Sequence, residues 1–226
     1  MSSTTTSRAV FVHDLVRTDI LSGVLRPGEP LRLAPLATKY DVSMSVVREA
    51  LTRLAEHNLA VLLPNQGFRV VEISRDDLIE LTELRITLEG LALVKSIEHG
   101  DVQWEASVVS AHHVLERATM GREDGFGSTD EWSEAHSAFH DALVSACESP
   151  RLLGLTRSLR NSAELYRQLS AVGQVEVGRD LAAEHLELME LATTRRTAEA
   201  REALARHIQT TTDVVLKTAL TDDGSA

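Results

Sequence analysis

Apolar residues recur at helical intervals along most of the chain, and only between Leu59 and Val71 does the pattern shorten to strand-like runs. Val46, Val47, Ala50, Leu51 and Leu54 fall on one helical face, leaving Ser45, Arg48, Glu49 and Thr52 on the others. Ser43 precedes them as an N-cap, where a hydroxyl can satisfy an orphan amide of the first turn. A shorter helix ends near Tyr40, and Asp41-Val42 supply a tight turn between the two. Leu59 to Leu63 and Phe68 to Val71 then read as two strands joined through Pro64-Asn65-Gln66-Gly67. Two helices, a tight turn and a β-wing in this order make a winged helix-turn-helix, whose second helix enters the major groove.

From Ser74 onward the pattern is helical throughout, with neither strand nor repeat. Ser74 opens a helix with Asp76 and Asp77 in its first turn, favourable against the helix dipole, and Leu78 to Val94 carry it to His99-Gly100. Further helices span about 101–119, 129–147, 150–171, 179–194 and 197–220, broken by loops at Gly121–Ser128 and Gly173–Gly178. The predicted fold is mainly α. A winged helix-turn-helix over 8–72 precedes an antiparallel bundle of six to seven helices over 74–220. Residues 1–7 and 221–226 read as flexible tails.

Composition changes this picture in three ways. With 43% apolar but only 4% aromatic residues, both cores must be aliphatic. The net charge of −11 speaks against nucleic acid until the chain is divided. Residues 1–70 carry eight Lys/Arg against six Asp/Glu, so the acidity belongs to the second half. Eight basic residues are thin for one copy on DNA, which calls for a homodimer. No apolar run reaches the length that spans a membrane. A single cysteine, Cys147, suits a reducing cytoplasm and reads as a small core residue.

Histidine placement is the other candidate chemistry. His136 and His140 are i, i+4 in line with Trp132, Phe139, Leu143 and Cys147, so both face the bundle interior. His185 shares a face with Leu181, Leu188 and Met189, and His207 lies with Ala203, Leu204, Thr211 and Val214. A lone buried imidazole must find a hydrogen-bond partner, whereas four converging imidazoles make a transition-metal site. His112 and His113 point about 100° apart and cannot share one site. His57 reads as facing solvent or phosphate, and His13 and His99 as surface residues. Arg85, at i−4 from Glu89, is either an intrahelical ion pair or a bidentate contact for an effector carboxylate.

Residues 10–71 resemble the DNA-binding domain of the GntR family. Ile20 to Leu31 follow its I-x-x-G-x-L-x-P-G-x-x-L opening, Val42-Ser43 and Val47-Arg48-Glu49-Ala50-Leu51 its recognition helix, and Gly67-Phe68-Arg69-Val70 its wing. Met44 stands where the family has Arg, Gln66 where its wing has Arg, and Leu33, Ala34 and Pro35 replace acidic residues. The resemblance places DNA contacts at Arg32, Ser43, Met44, Ser45, Arg48, Asn65, Gln66 and Gly67. Residues 74–220 resemble the FCD domain of the FadR-like branch, through Arg85 to Glu89, His136 to His140, Glu184-His185 and His207. That resemblance implies a metal held by one Asp and three His, matched by His140, His185 and His207, with His136 at the Asp position. All-imidazole ligation favours zinc, then nickel, over manganese or magnesium.

The expected function is a metabolite-responsive, dimeric, DNA-binding repressor whose operator affinity is set by a small carboxylate bound at the metal. Arg85 is a second contact to that carboxylate, and binding repacks helices and re-spaces the two winged domains. Three alternatives stay open at this point: the metal itself as the signal, a metal-dependent hydrolase with Glu184 or Glu89 as base, and a permanent structural metal with a closed shell.

Overall fold

The computed structural model describes residues 2–121, 127–168 and 178–220, with side chains from Arg8 onward. The expected tail 221–226 lies outside the described residues, as do most of the two glycine-bearing loops. The chain divides between Ser74 and Arg75 into two compact units.

The first unit contains α1 (Ser2–Leu21), β1 (Pro30–Leu31), α2 (Leu33–Lys39), α3 (Met44–Glu56), β2 (Ala60–Leu63) and β3 (Gly67–Val70). The five apolar residues of α3 picked out by spacing are buried, and α1 packs on that helix with Val12, Val16 and Ile20 buried. Residues 2–7, read as a tail, form the first turns of α1 instead. Extending a helix already nucleated by packing costs far less than starting one, so poor formers such as Thr can be carried along.

Asp41 makes the turn between α2 and α3 at φ 52°, a conformation that Asp tolerates better than most residues. Ser43 occupies the N-cap of α3 with extended backbone, yet its hydroxyl pairs with Ser45 Oγ at 2.9 Å rather than with an amide. The sheet is antiparallel in the order β1-β3-β2, with Phe68 opposite both Leu31 and Leu62. β1 was absent from the sequence reading because two residues cannot display an alternation. At the wing tip Pro64 presets the second turn position, and Asn65 accepts the positive φ, 60°, of the third.

The second unit contains α4 (Arg75–His99), α5 (Val102–Arg117), α6 (Asp130–Val144), α7 (Pro150–Ser162), α8 (Leu181–Thr193) and α9 (Thr197–Thr218), with a further helical stretch at 164–168. Side-chain caps start four of them. Asp101, Thr129, Ser149 and Asp180 accept from the amides of Trp104, Trp132, Leu152 and Ala183.

Helix α4 packs against α6, α7 and α9, and α5 against α6 and α8. The core between them is mostly aliphatic, with Leu93, Val108, Leu143, Leu188, Leu204 and Ile208 buried together with Phe139, Trp104, Trp132 and Cys147. Thr82 and Thr212 join α4 to α9 through a buried hydroxyl pair at 2.6 Å. Among the described residues no helix is long and apolar enough to cross a membrane.

Candidate metal centre and nucleic-acid interface

The i, i+4 spacing on α6 brings His136 and His140 onto one face, with ring centroids 4.5 Å apart. α8 supplies His185 and α9 supplies His207, whose rings lie 4.9 Å from each other. All four are buried, between 2% and 6% exposed, and each offers one nitrogen within 4.8 Å of the others. Two nitrogens on one tetrahedral zinc ion stand about 3.4 Å apart, given bonds of about 2.1 Å, so closing on an ion needs the rings to move inward by up to about an ångström. Burial is the largest cause that lowers all four imidazole pKa values. Arg167 adds to it at His136, and His207 does so at His140 and His185. Neutral imidazole is the form that binds metal.

Partners distinguish the four rings. His140 Nε2 and His185 Nε2 are buried without any hydrogen bond, an arrangement that costs free energy unless something fills it. His207 Nδ1 lies 2.8 Å from Glu184 Oε2. Burial would raise the Glu184 carboxyl, but hydrogen bonds from Arg179 and His207 override it and hold the pKa at about 2. Glu184 is therefore an acceptor, His207 carries its proton on Nδ1, and its Nε2 lone pair is available. Arg179, itself only 3% exposed in its side chain, grips both Glu184 oxygens at 2.7 and 2.6 Å, Thr211 Oγ1 at 2.9 Å and the His207 carbonyl at 3.0 Å. His136 Nδ1 faces Arg167 Nη1 at 2.6 Å. This donor set, neutral nitrogens with orphaned lone pairs and a carboxylate behind one ring, fits a divalent transition metal.

Beside the cluster lies a cavity of about 30 Å³, room for little more than a water. Arg85, Arg160 and Arg167 line it with His136, His207 and Trp132, and among the described residues no carboxylate does. Arg85 makes the intrahelical ion pair, its Nε donating to the buried Glu89 at 2.7 Å, and its side chain also borders this cavity. Arg160 approaches Glu89 from the other side at 3.5 Å and pairs with Asp141. The sequence reading missed Arg160, Arg167 and Arg179, and weighed Glu184 as a base. Arginines on a helical bundle look like solvated surface until the fold turns them inward.

In the first unit Arg32 is the exposed N-cap residue of α2, and Ser43, Met44, Ser45 and Arg48 are exposed along the start of α3. Met44, Ser45 and Arg48 line one groove of about 980 Å³ with Thr52, His13 and His57. Asn65, Gln66 and Gly67 are exposed at the wing tip. His57 pairs with His13 at 3.3 Å rather than standing alone.

The sequence profile of the FCD domain matches residues 80–210, and that of the bacterial regulatory proteins of the gntR family matches residues 8–70. The chain is 37% identical over 203 residues to the HTH-type transcriptional regulator BphR of Paraburkholderia xenovorans, covering 88% of this chain and 82% of that one. It is 30% identical to the HTH-type transcriptional repressor GlaR of Escherichia coli, covering 88% and 92%. Among solved structures, a GntR-type transcriptional regulator from Rhodococcus sp. RHA1 superposes with a TM-score of 0.67 at 26% identity, over 93% of this chain and 98% of that one. Escherichia coli McbR/YncC shares the fold, with a TM-score of 0.69 at 22% identity over 93% and 97%.

Proposed function

This chain belongs to the GntR family of bacterial transcriptional regulators, with an FCD domain as its second unit, and from that premise we propose a metal-dependent, carboxylate-responsive repressor. That it is a DNA-binding regulator rather than an enzyme follows from the family. The geometry of Glu184 agrees, because a carboxylate held by Arg179 and His207 is not free to act as a base. The finer reading rests above all on the arginine-lined cavity abutting four buried histidines.

Zinc is the metal that the imidazole set suits best, nickel the second. When bound it would supply a Lewis-acidic point of attachment for an anion. Arg85, Arg160 and Arg167 give a small carboxylate its remaining contacts, since guanidinium forks match carboxylates bidentately. A cavity of about 30 Å³ holds no organic acid as it stands, so entry requires the surrounding helices to part. Occupancy is thereby linked to bundle conformation. Repression follows the sign of GlaR, and a homodimer supplies the two winged units that an operator of two half-sites needs. Arg32, Ser43, Met44, Ser45, Arg48, Asn65, Gln66 and Gly67 are the proposed DNA contacts.

The test is elemental analysis of protein purified without a metal-affinity tag, followed by a carboxylate-library thermal-shift screen with and without chelator. About one zinc per chain, and stabilising acids that act only on metal-loaded protein and release operator DNA, are the expected results. Acids that stabilise chelated protein equally well would leave the pocket and remove the metal from the mechanism.

A further inference from the structure

Proximity alone makes the four histidines equivalent, but their hydrogen bonds do not. A neutral imidazole has one lone pair, and a guanidinium has donors only. Arg167 Nη1 lies 2.6 Å from His136 Nδ1, so that contact consumes the His136 lone pair and places the ring proton on Nε2. The other three rings are in the opposite condition. His140 and His185 have buried Nε2 atoms without partners, and Glu184 holds the His207 proton on Nδ1, which frees its Nε2. Arg167 is itself anchored, paired with Glu164 and set over the Trp132 ring at 5.9 Å, while Trp132 stacks on His136 at 4.7 Å.

We infer that the metal is held by His140, His185 and His207 alone, and that His136 is a positioning residue that aims Arg167 into the anion cavity. The inference rests on the metal reading above and decides a point that reading leaves open. Four imidazoles could close a tetrahedral shell and make the ion a structural staple. Three would leave a coordination position for water or an anion, and Arg167 lines the cavity beside the cluster with Arg85 and Arg160. His136 then serves anion recognition by withholding itself from the ion and fixing a guanidinium instead.

X-ray absorption spectroscopy of the zinc-loaded protein counts imidazoles directly, and chelator competition gives zinc affinity. Wild type is expected to show three imidazoles and at least one additional oxygen scatterer. His136→Gln, which keeps an acceptor for Arg167, should retain three imidazoles and zinc affinity within threefold. His140→Gln and His185→Gln should each weaken zinc at least a hundredfold. Arg167→Leu, which has no donor, releases the His136 lone pair, so the count should rise to four and zinc should tighten about tenfold. Four imidazoles in wild type, or His136→Gln losing zinc as severely as His140→Gln, overturns the assignment while leaving the metal reading intact. An Arg167→Leu protein still at three imidazoles overturns Arg167 as the withholding group. A wild-type protein that binds no zinc overturns the metal reading and this assignment with it.

Discussion

Glu184 shows how much of the site depends on a residue that would not itself touch the ion. Its carboxylate fixes the tautomer of His207 from one side and is clamped by Arg179 from the other. Outer partners of this kind typically contribute 10–100-fold to metal affinity. Glu184→Gln should therefore weaken zinc by about that factor in chelator competition, while Glu187→Gln, on the exposed side of the same helix, leaves it unchanged. The imidazoles give a second expectation for metal-free protein. Their folded pKa values lie below the unfolded value of about 6.5. Below that pH the unfolded chain takes up protons that the folded chain refuses, so stability is present above about 6.5 and falls with acidification. The upper bound is about 1.4 kcal/mol per histidine per pH unit. Urea unfolding of chelated protein at pH 7.5 and 5.5 measures it, and equal midpoints would contradict neutral burial. Glu184 acts in a separate window, its contribution being lost only as pH falls from about 4.5 towards 2.

At the scale of elements, α3 was the most legible part of the chain, because a helix with one apolar face declares both its period and its exposed residues. The exposed set carries the DNA prediction. Arg48→Ala should reduce operator affinity by about 1–3 kcal/mol per half-site and lower the salt slope in fluorescence anisotropy. Met44→Arg, on the same exposed turn, should tighten binding to random duplex and steepen that slope. The four histidines were legible too, since each sits in the register of its helix's apolar residues. What the sequence concealed was whatever depends on contacts between distant elements. β1 exists through pairing with β3 alone, and the first turns of α1 ride on a helix packed elsewhere. The inward turn of Arg160, Arg167 and Arg179 follows from helix packing that no local period records. The expected hydroxyl cap at Ser43 failed for a local reason, because its hydroxyl pairs with that of Ser45 instead.

At the scale of the whole molecule, the division at Ser74 separates two charge regimes, a slightly basic unit and one that carries the chain's acidity. Removing metal should act on the second regime only. Chelation is expected to lower its melting temperature by several degrees, as loss of a ligand bound to the native state requires, while duplex binding by residues 1–74 keeps its salt slope. A chelated protein with unchanged calorimetry would count against a bound ion. The grip of Arg179 has a mechanical consequence for that unit. One buried guanidinium holds Glu184 at the start of α8 and both the main chain of His207 and the hydroxyl of Thr211 in the middle of α9. Sliding one helix along the other would break the bonds from Arg179 to Thr211 and the His207 carbonyl and the Glu184–His207 contact together, whereas carrying both helices together breaks none. The α8–α9 hairpin is thus riveted, and a pull at the His207 ring is delivered to two helices as the swing of a single stiff lever.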